Sequence, residues 1–146
     1  MPRRFQPVET PLGIVNGRDG IYLDDIKVSE RTNRLTLEGA FNTALCSDAD
    51  RPSINFDGCI ISFTGVLAFK VIELDSWDWD SESSFDEVLD SDWIRELGGK
   101  ITSEHRHFLV QTYDDVVEVV CEVVDITLTS TEQAGGHQPP TRAEST

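Results

Sequence analysis

The sequence has few basic residues, and this shortage excludes two classes of partner. Lys and Arg number 12 against 27 Asp and Glu, which leaves a net charge of −15 at neutral pH. A field of this sign repels the phosphates of nucleic acids and of anionic membranes, and it attracts basic proteins. We therefore expect no nucleic acid and no membrane among the partners of this chain.

Long apolar runs and cysteines are also scarce. No stretch approaches the ~20 apolar residues that are needed to cross a bilayer, and the first ten residues lack the apolar core of a signal peptide. The three cysteines are odd in number and too few for a disulfide framework. Cys59 and Cys121 lie within apolar strand patterns, where they are expected to be buried. These absences predict a cytoplasmic protein.

Motifs for covalent catalysis and for cofactors are absent as well. The chain has no G-x-S-x-G, no Cys-x-x-Cys and no glycine-rich phosphate loop. His105 and His107 could share one strand face, as zinc ligands do, but no third ligand follows at a suitable spacing, so we expect exposed residues at the start of a strand. The sequence favours a binding protein over an enzyme and indicates no cofactor.

The pattern that is present is alternation of apolar and polar residues. Residues 21–30, in which Ile26 and Val28 alternate with polar residues, and residues 35–41, which alternate throughout, lie on either side of a turn at 31–33 and predict a β-hairpin. Residues 59–71 predict a long central strand with Gly65 as a bulge or close-packing point, and Asp57-Gly58 before it predicts a hairpin turn. Residues 107–113 and 116–128 predict two more strands. The predicted fold is mainly β, an antiparallel β-sandwich or open barrel of six to seven strands.

One helix is predicted near residues 85–97. Ser84 and Glu87 have the spacing of a capping box, and Gly98-Gly99 would end the helix. The residues that follow a 3.6-residue period, and are expected to face the core, are Phe85, Val88, Leu89, Trp93 and Leu97.

Composition predicts the limits of the domain. Residues 1–11 contain three prolines and no periodicity, and we expect them to form a flexible arm. Residues 129–146 are rich in Ser, Thr, Pro, Gly and Gln without a large apolar residue, which predicts a disordered tail. Residues 12–128 are expected to form a single β-rich domain.

The candidate functional segment is 73–96, which carries ten acids, one base and all three tryptophans. Aromatic anchors surrounded by charge are typical of protein interfaces, and acids would select a basic partner. The predicted partner-binding residues are Asp75, Trp77, Asp78, Trp79, Asp80, Glu82, Asp86, Glu87 and Asp90. The predicted partner is a basic protein surface such as that of a toxin or nuclease, and a toxin-neutralising immunity protein is the most concrete form of this function.

Two alternatives stay open for this segment. Charge runs are usually solvated surface, with the tryptophans packed into the core. The segment could also bind calcium, because Asp78, Asp80 and Glu82 alternate as in an EF-hand loop. The match then fails, since Ser83 stands in place of the turn glycine and Leu89 in place of the bidentate glutamate. A calcium- or ligand-binding β-module is therefore the alternative function.

Residues 84–128 also carry motifs that resemble those of a known group of proteins. The motifs are Ser84-Phe85-x-Glu87-Val88, Ser91-x-Trp93-Ile94, His107 and Thr112-Tyr113-Asp114-Asp115-Val116. This part of the chain resembles a group of small, uncharacterised bacterial proteins of similar length. The resemblance implies a bacterial source and a β-rich fold, and it implies no activity.

Overall fold

Two antiparallel sheets make up the fold in the computed structural model, which describes residues 4–29, 31–48, 56–73 and 81–129. The five-stranded sheet has, in spatial order, β1 (Arg4–Pro7), β6 (Phe85–Leu89), β7 (Arg106–Gln111), β8 (Asp115–Cys121) and β5 (Ala68–Glu73). The four-stranded sheet has β2 (Ile21–Ser29), β3 (Arg34–Asn42), β4 (Phe56–Thr64) and β9 (Val123–Leu128). Helix α1 (Asp92–Leu97) and short 3-10 helices at Arg18–Gly20 and Thr43–Leu45 complete the described elements. The predicted sandwich class is confirmed, with nine described strands in place of six or seven.

The main core lies between the sheets. The five-stranded sheet contributes Phe85, Phe108, Val110, Val117, Val119 and Cys121 to this core. The four-stranded sheet contributes Leu35, Leu37, Phe41, Cys59, Ile61 and Phe63. The rings of Phe63, Phe85 and Phe108 contact one another, with centroid distances of 6.1 to 6.4 Å. Burial of such side chains stabilises the fold by about 25 cal/mol per Å² of apolar surface.

The two long strands predicted at 59–71 and 116–128 each break and change sheet at one corner. Gly65, with φ +69°, separates β4 from β5, and Glu122 separates β8 from β9. The breaks are adjacent, because the Glu122 N–H donates to the Thr64 carbonyl at 3.1 Å. Each segment therefore serves both layers, as strands at the corners of sandwiches do. Asp57-Gly58, predicted as a turn, lies within β4.

A bulge in β2 depends on Gly39 of the neighbouring strand. The register slips by one residue after Leu23, which leaves Asp24 as the extra residue. Leu23 and Ile26 are three residues apart and would face opposite sides of a regular strand. Because of the slip, both side chains pack against the core. A Cβ atom at position 39 would overlap the carbonyl oxygen of Tyr22. Only glycine therefore fits opposite this bulge.

The helix predicted near residues 85–97 is wrong in its first half. Residues 85–89 are strand β6, which pairs with β1 on one side and with β7 on the other. Ser84 caps no helix, since its Oγ donates to the Gly17 carbonyl at 2.7 Å. The helix begins after Ser91, whose Oγ accepts the N–H of Ile94 at 3.1 Å, and it ends at Gly98 as expected. Strand pairing on two sides outweighs the local helix signal.

The flexible arm expected at residues 1–11 is in part a strand of the sheet. Residues 4–7 form β1 and pair with β6, and Phe5 packs on a second apolar cluster of Val88, Leu109 and Val116. The tail predicted at 129–146 lies outside the described residues apart from Thr129, whose N–H donates to the Gly58 carbonyl at 2.8 Å. None of the helices in the described part of the chain has the length and hydrophobicity that a membrane crossing requires.

Candidate docking site

The predicted partner-binding residues fall into two groups. Asp75, Trp77, Asp78, Trp79 and Asp80 lie outside the described residues. Glu82, Asp86, Glu87 and Asp90 are described, and the structure gives them four different environments. Only Glu82 is both exposed and without an ion pair to another described residue.

Asp86 is buried and cannot contact a partner, which corrects its predicted role. Its carboxylate accepts the N–H groups of Glu82 and Ser83 at 2.7 and 3.1 Å, and the Ser83 hydroxyl at 2.5 Å. Three donors compensate for the loss of solvent around the charge. Asp86 therefore holds the preceding residues onto the start of β6.

Glu87 and Asp90 are each paired with a base of the same chain. Glu87 accepts two hydrogen bonds from Arg106, at 3.1 and 2.7 Å, and this contact raises the pKa of the Arg106 guanidinium above its ordinary value. Asp90 pairs with Arg4 of β1. These two acids help to fasten neighbouring strands and offer less charge to a partner than the sequence suggests.

Three aromatic side chains that sequence reasoning did not select form a partly exposed group at one end of the sandwich. The rings of Tyr22 and Tyr113 stack with their centroids 5.0 Å apart, and Phe56 meets Tyr22 edge-on at 5.3 Å. Phe56 is 49% exposed and Tyr113 is 40% exposed. The residues come from the starts of β2 and β4 and from the β7–β8 turn, which is joined to β2 by the Tyr113 N–H and the Ile21 carbonyl.

Several carboxylates lie at the same end of the sandwich as this aromatic group. Desolvation raises the pKa of the Tyr22 hydroxyl, and the charges of Asp19 and Asp114 raise it further. At the same end Glu73 lies opposite Asp115 at the last pair of β5 and β8. Ser81 donates to the Gln111 side chain at 2.8 Å, which brings the neighbouring Glu82 to this end. We call this surface the acidic end and define it as Asp19, Tyr22, Phe56, Glu73, Glu82, Tyr113, Asp114 and Asp115.

The acidic end adjoins the segment that the sequence singled out. Residues 74–80, which lie outside the described residues, connect Glu73 with Ser81. Both flanks of that segment therefore lie at the acidic end. Of the predicted partner-binding residues, Glu82 belongs to the acidic end.

Arg18, a base, also lies at the acidic end. The Arg18 guanidinium lies over the Tyr113 ring, 5.0 Å from its centroid, and Nε donates to the Tyr113 carbonyl at 3.1 Å. An arginine over an aromatic face is a favourable cation–π contact. This contact is a local example of how the aromatic group can receive a guanidinium.

A buried polar chain crosses the outer face of the five-stranded sheet. Ser91 Oγ lies 2.7 Å from His107 Nδ1, and His107 Nε2 lies 2.7 Å from Glu118 Oε1. Lys70 Nζ lies 3.9 Å from Glu118 Oε2 and 4.5 Å from the centre of the Trp93 ring. His107 was expected to be exposed, and this expectation is wrong because His107 and Glu118 are buried in contact with each other.

Ser91, His107 and Glu118 are the residue types of a hydrolase triad, but their surroundings indicate a structural role. A nucleophilic serine must reach its substrate. Ser91 is buried, and its Oγ already accepts the helix-capping N–H of Ile94. These hydrogen-bonded side chains fasten α1 to β7 and β8.

The candidate metal ligands are not brought together. Asp78 and Asp80 lie outside the described residues, and Glu82 is exposed. Among the residues that the structure describes, no group of three or more His, Cys, Asp or Glu side chains is placed to hold a metal ion. The His105 side chain is only 4% exposed, and its Nδ1 accepts the Thr102 N–H at 2.9 Å.

Comparison with known proteins finds no matching family model, no matching curated protein and no matching solved structure. Function must then be argued from the chemistry of the surface, because no relative supplies an activity.

Proposed function

We propose that this chain is a protein-interaction domain that binds a basic protein surface at the acidic end. The observation that carries the proposal is the aromatic group of Tyr22, Phe56 and Tyr113, in which Phe56 and Tyr113 are exposed and Asp19 and Asp114 lie near Tyr22. Aromatic rings supply a large contact area at low entropic cost. Acids at the rim accelerate encounter with a basic partner and disfavour acidic ones.

The state of the acids supports this site over other parts of the surface. Glu87 and Asp90 are paired with Arg106 and Arg4. Asp19 and Asp114 make no ion pair with any residue that the structure describes, so a partner can meet their charge directly. The net charge of −15 adds a long-range attraction for any basic protein.

The most concrete form of the proposal is a toxin-neutralising immunity protein acting in the cytoplasm. A nuclease toxin needs a basic groove for its nucleic acid substrate. An acidic surface with aromatic anchors can occupy that groove and compete with the substrate. No observation in the described residues favours the calcium-binding alternative.

The proposal is tested by affinity capture from the source organism with charge-reversed variants. The site variant carries Asp19→Lys and Asp114→Lys. The matched control carries Glu104→Lys and Asp125→Lys, which change the net charge equally at exposed positions elsewhere. We expect the wild type and the control to retain a basic protein that the site variant loses.

A second measurement separates the contribution of the aromatic contacts from that of electrostatic attraction. Tyr113→Ala leaves the backbone hydrogen bonds of residue 113 in place and removes the stacked ring. With the captured partner, we expect Tyr113→Ala to raise the dissociation rate and the Asp→Lys variant to lower the association rate most strongly at low salt. Capture of no basic protein, or equal retention by the site variant and the control, would show that the acidic end is a solvated surface.

A further inference from the structure

An apolar groove of about 300 Å³ opens between the two sheets at the end opposite the acidic end. Its lining includes Val28, Arg34, Leu35, Val66, Leu67 and Phe69. Val28 is 51% exposed, and Leu67 and Phe69 are each 38% exposed. Val71, on the same face of β5 as Phe69, is 44% exposed. Convergence of large apolar side chains on one groove distinguishes this place from scattered surface residues.

The groove exists because both sheets end beside it. Phe69 pairs with Val119, a core residue, so Phe69 is on the face of β5 that points between the sheets. Within the described strands, β2 is the last of its sheet and β5 the last of the other. The inward face of β5 is therefore incompletely covered by the four-stranded sheet.

Strand β5 has an edge that is suited to pairing. On one side it pairs with β8, and no other described strand lies on its second side. Edge strands are usually protected by proline, by a bulge or by a lysine directed at the edge. β5 contains no proline, and Lys70 lies over the Trp93 ring. Within the described residues, no strand pairs with the second edge of β5, so its backbone there is placed to accept an added strand.

Among the described residues, the charge beside the groove is positive, although the chain as a whole is strongly acidic. Arg34 is the one charged residue in the lining, and Arg31 lies in the adjoining β2–β3 turn. Neither pairs with a carboxylate of the described residues. The Glu122 carboxylate lies beside Gly65. One of its oxygens is 3.8 Å from His105 Nε2. A second copy of the chain is disfavoured as the occupant because each copy carries a charge of −15.

We propose that β5 and this groove bind an extended peptide segment of another protein. The peptide adds a strand along β5, packs apolar side chains against Val28 and Phe69, and places a carboxylate beside Arg34. Strand addition obtains affinity from main-chain hydrogen bonds and specificity from pockets for alternate side chains. This surface is separate from the acidic end and selects a partner of different chemistry.

The test uses synthetic octapeptides, acetylated and amidated, of alternating valine and threonine with one glutamate near an end. Binding is measured by calorimetry at moderate salt. We expect the glutamate peptide to bind at least about tenfold more tightly than its lysine counterpart. A peptide that is N-methylated at every residue, and so has no main-chain N–H to donate from either edge, is expected not to bind.

Matched variants locate the site. Arg34→Glu should weaken the glutamate peptide about tenfold, whereas Lys100→Glu, with the same charge change on the α1–β7 loop, should not. Phe69→Ser should weaken binding, and Val123→Ser, at an exposed position of β9 on the far edge of the four-stranded sheet, should not. Absence of binding by the glutamate peptide, equal binding of the N-methylated peptide, or binding of dodecanoate alone would overturn the proposal. Dimerisation abolished by Phe69→Ser would also overturn it and identify a second copy as the occupant.

Discussion

His107 and Glu118 face each other diagonally across β7 and β8, with Nε2 2.7 Å from Oε1 and each side chain 1% exposed. We expect Glu118→Ala to lower the free energy of unfolding by about 3–5 kcal/mol, because it removes one partner of a buried pair. His107→Ala should also be destabilising, and the double variant should lose less than the sum of the two. Urea unfolding at neutral pH measures all three. Strict additivity would mean that the two side chains do not stabilise each other.

Asp86 and Glu82 allow a comparison of a buried and an exposed acid four residues apart. Asp86→Ala should cost more than about 3 kcal/mol because it leaves the amides of Glu82 and Ser83 and the Ser83 hydroxyl without their acceptor. Glu82→Ala should lie within about 0.5 kcal/mol of the wild type. Thermal unfolding followed by circular dichroism distinguishes them. Equal effects would contradict the structural role of Asp86.

Removal of β1 should destabilise the domain. Deletion of residues 1–7 strips a strand from β6 and uncovers the apolar cluster under Phe5, and we expect the Tm to fall by about 4–8 °C. Arg4→Ala is the control, since the exposed pair with Asp90 is worth less than about 1 kcal/mol. An unchanged Tm after the deletion would show that β1 contributes no stability and that the flexible arm inferred from the prolines was the better description.

The three cysteines should make the fold sensitive to alkali. Burial raises the pKa of the Cys59 and Cys121 thiols to about 12 and that of Cys46 to about 11. The unfolded chain loses these protons above its ordinary thiol pKa, near 9, while the folded chain keeps them. Stability should then fall as pH rises, by at most about 1.4 kcal/mol per pH unit for each thiol.

A double cysteine variant separates the effect of the thiols on the pH dependence of stability from the effects of tyrosine and lysine. Cys59→Ala with Cys121→Ala should show a shallower loss of stability between pH 9 and 11 than the wild type, in denaturant titrations at each pH. The native thiols should also react slowly with a disulfide reagent at pH 8, because little thiolate is present. Identical pH slopes for the two proteins would contradict the raised pKa values.

Alternation predicted the hairpin of β2 and β3 because each strand there has one apolar and one polar face. Leu35, Leu37 and Phe41 are all buried as that pattern requires. Periodicity was misleading at β6, where the apolar spacing predicted a helix and the polar Asp86 is buried. A carboxylate that is satisfied by local donors has the appearance of a surface residue in sequence, and so do His107 and Glu118.

The acidic end could be predicted only in part. Its charged flanks, Glu73 and Glu82, belong to the conspicuous acidic segment, and this much was visible in the sequence. Tyr22, Phe56 and Tyr113 come from three distant stretches and meet only after β2, β4 and the β7–β8 turn are placed. The spacing of these residues along the chain does not indicate that their rings will be in contact, because the contact results from pairing between strands that are distant in sequence.

The bulge opposite Gly39 also limits how this chain can diverge in evolution. Exposed acids can be exchanged one at a time at a cost within about 0.5 kcal/mol, so a lineage can lose its acidity and keep its fold. Position 39 has no such freedom, because any side chain there meets the backbone of β2. A buried histidine cannot be exchanged without its glutamate, 11 positions later. Distant relatives are therefore expected to share this glycine and this paired histidine and glutamate, even where their surfaces carry the opposite charge.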